Sequence, residues 1–151
     1  SLTDTADEMY QSVMNHYENC DVLIMMAAVA DYRCETIATN KIKKTQDVMT
    51  IQLTKNHDIA AELGKIKGSR LLIGACAETE NVMENAKKKI KAKNFDLIMA
   101  NDVTEEGAGF GTDTNVVQIL SKDGQITGLP LMSKNEVADQ LMTKIAEQLK
   151  R

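Results

Sequence analysis

Over residues 3–18 (TDTADEMYQSVMNHYE), Ala6, Met9, Tyr10, Val13, Met14 and Tyr17 recur at helical spacing after a Thr3 or Asp4 cap. The continuous apolar run DVLIMMAAVA at 21–30 reads as a strand covered on both faces of a parallel sheet. Residues 31–47 are polar, rich in Thr and Lys and without period, so a long loop is expected there. Within it, 34–47 is expected to be a flexible flap, because its rotamer-rich lysines gain little burial to offset their ordering entropy. Residues 48–55 (VMTIQLTK) then alternate, with Met49, Ile51 and Leu53 on one side and Thr50, Gln52 and Thr54 on the other. That period predicts a strand outside the main sheet, one that needs a partner to persist.

Farther along, Asp58 precedes a helix expected over 59–66, and LLIGACA (71–77) and FDLIMAN (95–101) read as buried strands. Between them NVMENAKKKIKAK (81–93) turns Val82, Met83, Ala86 and Ile90 inward as a helix. NVVQILS and QITGLP form an expected hairpin, and residues 133–149 a closing helix with Ser133 and Glu136 at capping-box spacing. Buried strands alternating with amphipathic helices define an α/β class. The expectation is a Rossmann-like three-layer domain over 1–151 with a mostly parallel sheet, plus a small antiparallel dimerisation or flap element.

Composition narrows the function. The 151 residues carry 18 bases against 22 acids, a net charge of −4. This argues against a nucleic-acid-coating protein, which would carry a basic surplus. No apolar run approaches the roughly 20 residues of a membrane helix, so no membrane partner is expected. The first twenty residues are polar and acidic rather than basic then apolar, unlike a secretory signal. Cys20, Cys34 and Cys76 are an odd set in no metal-like spacing, so no metal ligands are assigned and a cytoplasmic home is expected. The chain opens on Ser1, which reads as a trimmed piece of something longer.

Four segments carry candidate chemistry. AAVADYR (27–33) puts small residues at the carboxyl end of a strand, where open α/β sheets bind ligands; a strand ending in a polar turn explains the same residues equally well. NKIKK (40–44) suits a lid that meets phosphates with point cations, or else a solvated basic loop. In KKKIKAK (87–93) most lysines suit a solvated helix end, while Lys89 and Lys93 share one stripe and could reach a nucleotide. EEGAGFGTDTN (105–115) mimics a dinucleotide fingerprint, but its glycine spacing is wrong and a strand follows instead of a helix.

In their order and spacing, AAVADYR (27–33), KIKK (41–44), KNHDI (55–59), GACAET (74–79), KNFDLIMANDV (93–103) and GFGTDTN (109–115) resemble the phosphopantothenoylcysteine synthetase family, over about 90 residues. That resemblance implies a ligase of coenzyme A biosynthesis, in most bacteria fused to a flavin-dependent decarboxylase. It implies CTP as a substrate with Mg2+, an acyl-cytidylate formed from 4′-phosphopantothenate, and cysteine as the amine. By resemblance Lys41 is the catalytic flap lysine at the triphosphate. Ala27, Asp31, His57, Asp58, Ile59, Ala60, Ala75, Lys89 and Lys93 fall at nucleotide-contacting positions. His57 stands where the family has Pro, and Ala75 where it has Phe. The family's N-terminal Gly-rich turn and its acyl-cytidylate asparagine do not precede Ser1. The isolated piece is therefore expected to be inactive, to carry no flavin, to pair with a fused or associated decarboxylase half, and to form a homodimer. A non-catalytic nucleotide-binding module is the rival reading, and a pyridine-nucleotide reductase the third.

Overall fold

The computed structural model describes residues 1–44, 47–105, 107–108 and 111–150. They form two compact units, one from 1–18 and 27–59, the other from 19–26 and 60–150.

In the first unit, α1 spans Ala6–Tyr17. Its cap is Thr5, two residues or one beyond those expected. Thr5 Oγ1 accepts from the Glu8 N–H at 3.1 Å, and the Glu8 carboxylate accepts from the Asp4 and Thr5 amides. A full capping box beats the lone cap residues upstream because it satisfies orphan donors reciprocally. β2 (Tyr32–Cys34) and β3 (Leu53–Lys55) pair antiparallel, Arg33 opposite Thr54. Two expectations are corrected here. Residues 31–47 are not wholly loop, since β2 opens them. Residues 48–55 are not strand throughout, since only the last three find a partner. A three-residue strand shows no period of its own, which hid β2.

The second unit is a five-stranded sheet in the order β1-β4-β5-β6-β7. Its strands are β1 (Val22–Met25), β4 (Leu71–Glu78), β5 (Leu97–Asp102), β6 (Thr114–Ser121) and β7 (Ile126–Ser133). β1, β4 and β5 run parallel, and β6 and β7 add an antiparallel hairpin. β1 is four residues at the sheet edge, not a ten-residue strand covered on both faces; Ile24 and Met26 are exposed. The apolar run continues past Met25, but its hydrogen-bonded partner does not. At the other edge β7 holds Pro130, where a missing N–H costs no ladder bond.

Strand alternation sorts the core into two faces. Ile73, Leu97, Val117 and Ile119 pack with Val137, Leu141 and Ile145 of α4 (Lys134–Leu149), which recur every fourth residue. Leu72, Gly74, Ile98 and Leu120 point the other way, toward α3 (Val82–Ala92), whose Ala86 and Ile90 are buried. Helix α2 (Ile59–Ile66) meets the end of α3 at Gly64, where a Cβ would lie 2.1 Å from the Lys93 carbonyl oxygen. Gly74 is required for the same reason: a Cβ there would stand 2.5 Å from the Phe95 ring. Helices on both faces give the expected three layers, and α4 opens on the expected Ser133–Glu136 capping box.

One buried ion pair fixes the start of β5. Lys67 Nζ bonds Asp96 Oδ1, and Asp96 Oδ2 accepts from the Leu72 N–H at 2.8 Å. Lys67 is buried, and Asp96 supplies the ion-pair partner that a buried ammonium needs.

Candidate functional site

The sequence-predicted residues fall on both units. In the first, the segment after β1 lines a cleft of about 750 Å3 together with the start of α1 and parts of β2. Ala27, Ala28 and Ala30 expose backbone to this cleft because their side chains are small. Asn56 holds the segment in place. Its N–H donates to the Asp31 carbonyl at 2.9 Å and its Nδ2 to the Ala30 carbonyl at 2.8 Å. Arg33 completes the clamp through Asn56 Oδ1 at 2.9 Å, the Lys55 carbonyl at 3.1 Å and Asp7 at 3.5 Å. The structure thus brings Ala27 and Asp31 beside the turn carrying His57 and Asp58. Arg33, which closes the AAVADYR segment, is a brace.

His57 stacks on Tyr10 of α1, ring centroids 4.2 Å apart and planes 7° from parallel. A proline could not supply that aromatic face, so the departure from the family residue has a structural use. Ile59 and Ala60 open α2 and are buried. Only their backbone can meet a ligand. Lys41 lies on an exposed stretch without secondary structure. The remainder of the expected flap includes Thr45 and Gln46, which lie outside the described residues, as do Gly109 and Phe110 of the GFGTDTN loop.

In the second unit, Ala75 is exposed on β4 and faces the same way as Ile73. It stands opposite Met99, and Ala77 opposite Asn101. Lys89 on α3 reaches Glu78 at the end of β4, 2.6 Å away, and Asn85 donates to the other Glu78 oxygen at 3.1 Å. Lys93 is the C-cap residue of α3, one turn beyond Lys89. Cys76 lies buried on the β4 face turned toward α3. Burial pushes its thiol up; the nearby Lys89 ammonium opposes that shift and the Glu78 carboxylate adds to it. At the end of β5, Asp102 is held below the usual carboxylate range by the Thr104 hydroxyl and amide.

One residue was missed. Asn101 Oδ1 is buried without a hydrogen-bond partner among the described residues. An unpaired buried acceptor is costly, so this oxygen is a place where a donor would be welcome. Its position at the carboxyl end of a buried strand, after the four apolar residues Leu97–Ala100, was the available signal.

A family profile described as the DNA/pantothenate metabolism flavoprotein C-terminal domain matches residues 2–149. The chain belongs to that family. This flavoprotein C-terminal domain is 44% identical over 142 residues to the coenzyme A biosynthesis bifunctional protein CoaBC of Bacillus subtilis (strain 168), a match covering 94% of this chain and 35% of that protein. It is 41% identical over 142 residues to a cysteine/cysteine sulfinic acid decarboxylase from an unknown prokaryotic organism, covering 93% of this chain and 40% of that one. The crystal structure of a CoaBC C-terminal domain superposes with a TM-score of 0.80 at 38% identity, covering 98% of this chain and 64% of that one. The chain therefore spans little more than a third of the curated relatives it matches. The family read from the six sequence segments is the family found, and the α/β fold is that of the CoaBC C-terminal domain. Among the described residues no helix is long and apolar enough to cross a membrane.

Proposed function

We propose that this domain performs the ligase step of coenzyme A biosynthesis, joining 4′-phosphopantothenate to cysteine at the expense of CTP. The observation that carries the reading is the match to CoaBC along nearly the whole chain. The 4′-phosphopantothenate carboxylate attacks the α-phosphorus of CTP; the α–β phosphoanhydride bond breaks and pyrophosphate leaves. The cysteine amine then attacks the acyl carbon of the cytidylate, forming the amide and releasing CMP.

The roles assigned to Lys41, Lys89, Lys93, Ala27, Asp31, residues 57–60 and Ala75 rest on the resemblance to the synthetase family. Lys41, exposed and unencumbered by packing, meets charge developing on the triphosphate. Lys89 and Lys93 add cations to the nucleotide, with Lys89 leaving or sharing its partner Glu78. Ala27, Asp31 and the backbone at His57, Asp58, Ile59 and Ala60 form the remaining nucleotide contacts, and Ala75 leaves room beside β4. Asn101 Oδ1 accepts a substrate N–H or O–H. Among the described residues no three His, Cys, Asp or Glu side chains converge on a metal. The magnesium ion implied by the family resemblance would be carried mainly by phosphate oxygens of CTP. Bound there, the ion would neutralise the departing pyrophosphate.

A homodimer in the cytoplasm belongs to the same proposal. Ile37, Ile42, Val48, Met49, Ile51 and Leu53 are all exposed in the first unit, and a second copy of the chain is the occupant that would bury them. Flavin chemistry is assigned to the length of the relatives outside this match.

The test assays the chain alone and fused behind the preceding region of the Bacillus subtilis relative. With CTP, magnesium and 4′-phosphopantothenate, the fusion is expected to release pyrophosphate, then CMP when cysteine is added. The chain alone is expected to bind CTP without completing the ligation. Carbon dioxide released from cysteine without CTP would favour the decarboxylase named for the second relative.

A further inference from the structure

Helix α3 and its C-cap carry five lysines in residues 87–93, and they have different surroundings. Lys88 pairs with Glu84 at 2.7 Å and Lys89 with Glu78 at 2.6 Å. Lys87 and Lys91, one turn apart, have no acidic partner among the described residues. Like charges at that spacing repel on a helix surface. The helix C-terminus offsets part of that repulsion, but it does not account for the third cation. Lys122, in the turn joining β6 to β7, comes to the same place from the sheet, its Nζ donating to Asn94 Oδ1 at 2.8 Å.

These cations rim a groove of about 490 Å3. Its floor is apolar, made by Ile90 of α3 and Leu120 of β6, both buried. The positions are built rather than loose. Asn94 takes a left-handed φ of 54° after α3 and donates to the Gly64 carbonyl at 2.8 Å. The turn is closed by Gly124 at φ 94°, with its N–H donating to the Ser121 carbonyl at 2.9 Å. The groove lies where β6 ends and β5 begins, the end of the sheet opposite the carboxyl ends of β4 and β5. It shares no residue with the nucleotide positions proposed above, of which Lys93 alone adjoins its rim, next to Asn94.

We propose that this groove binds a small organic anion: one phosphate or carboxylate attached to an aromatic or alkyl body. The apolar body lies along the aliphatic stems of the rim lysines above Ile90 and Leu120, and the anion answers Lys87, Lys91 and Lys122. Charge complementarity decides for an anion, because a chain of net charge −4 has gathered three cations around an apolar floor, no residue lining the groove is acidic, and the nearby Asp123 carboxylate is held by Ser121 Oγ. The volume suits a small molecule.

The test titrates 1-naphthyl phosphate into 15N-labelled chain and follows the backbone amides. Saturable shifts are expected at residues 87–94 and 120–124, falling with added salt. Combining K87Q with K91Q is expected to weaken binding about tenfold, while K88Q, whose ammonium pairs with Glu84, leaves it nearly unchanged. Inorganic phosphate alone is expected to bind more weakly than the naphthyl ester, because it leaves the lysine stems lining the groove uncovered. Both variants are exposed-site changes, and the dispersion of their spectra reports that they fold. Unshifted amides in these two segments would overturn the proposal. So would equal weakening by K88Q, which would mean bulk charge only, or displacement of the probe by CTP, which would mean one shared site. Absence of CTP binding would bear on the ligase reading alone.

Discussion

The two units of the chain treat their apolar residues in opposite ways. In the second, Leu72, Ile73, Leu97, Ile98, Leu120 and Ile145 are almost completely hidden, and each strand finds a neighbour. In the first, Ile37 is 84% exposed and Val48 76%, and the strand pair is three residues long. Residues 48–55 of the first unit, like the strands of the second, present an apolar face in sequence. Periodicity announces that a face seeks burial, but not whether the same chain will cover it. Where the cover is local, the pattern becomes a core. Where it is another molecule, as we propose for residues 37–53, the pattern remains on the surface as an address.

Breaking the pair that anchors the second unit should have the largest effect. Lys67→Met leaves the half-buried Asp96 without its cation, and a cost of about 3 kcal/mol is expected by chemical denaturation. Leu97→Ala should approach the same magnitude, about 2–5 kcal/mol, through the cavity it opens. Equivalent truncation at Met49 or Ile51 should leave the unfolding midpoint of a dilute sample almost unmoved. The same truncations should shift the dimer to monomer by light scattering. A monomeric wild type at micromolar concentration would remove the second copy from the account.

Catalytic effects should separate from stability in the first unit. Lys41→Gln is expected to slow acyl-cytidylate formation in the fusion by about 100-fold, with an unchanged melting temperature. A wild-type rate would end its assignment to the triphosphate.

Smaller effects concern helix ends and thiols. Ser133→Ala removes half of a capping box and should cost about 1 kcal/mol. The Ser133 hydroxyl and amide hold the Glu136 carboxyl below its ordinary range. A lowered folded-state value means that this stabilisation is present above the unfolded carboxylate range and is lost as pH falls through the lowered value. Glu136→Gln should therefore flatten the acid limb of a stability profile. Alkylation should modify exposed Cys34 first and Cys76 last, since Cys76 is buried and its thiol is pushed up. Cys76 alkylating as fast as Cys34 would show that β4 opens locally.

Much of the second unit was legible in the sequence. LLIGACA and FDLIMAN are long apolar runs flanked by helical periods, and their strands lie where expected. DVLIMMAAVA overstated its strand because apolar character does not reveal where the neighbouring ladder stops. β2 was hidden by its brevity, and β3 by an alternation longer than its partner. At the candidate site, Ala27, Lys41 and Lys89 were visible as residue types in telling positions. The bracing of Arg33, the stack of His57 on Tyr10 and the orphan oxygen of Asn101 were not. Each depends on a partner distant in sequence, and no local pattern encodes it.

Calorimetric titration of the chain with CTP in the presence of magnesium tests the central claim most directly. The account predicts saturable binding, one nucleotide per chain, tighter for CTP than for ATP and weakened by Lys41→Gln or Lys89→Gln. No heat from CTP at millimolar concentration, or preferential binding of a pyridine nucleotide, would contradict it.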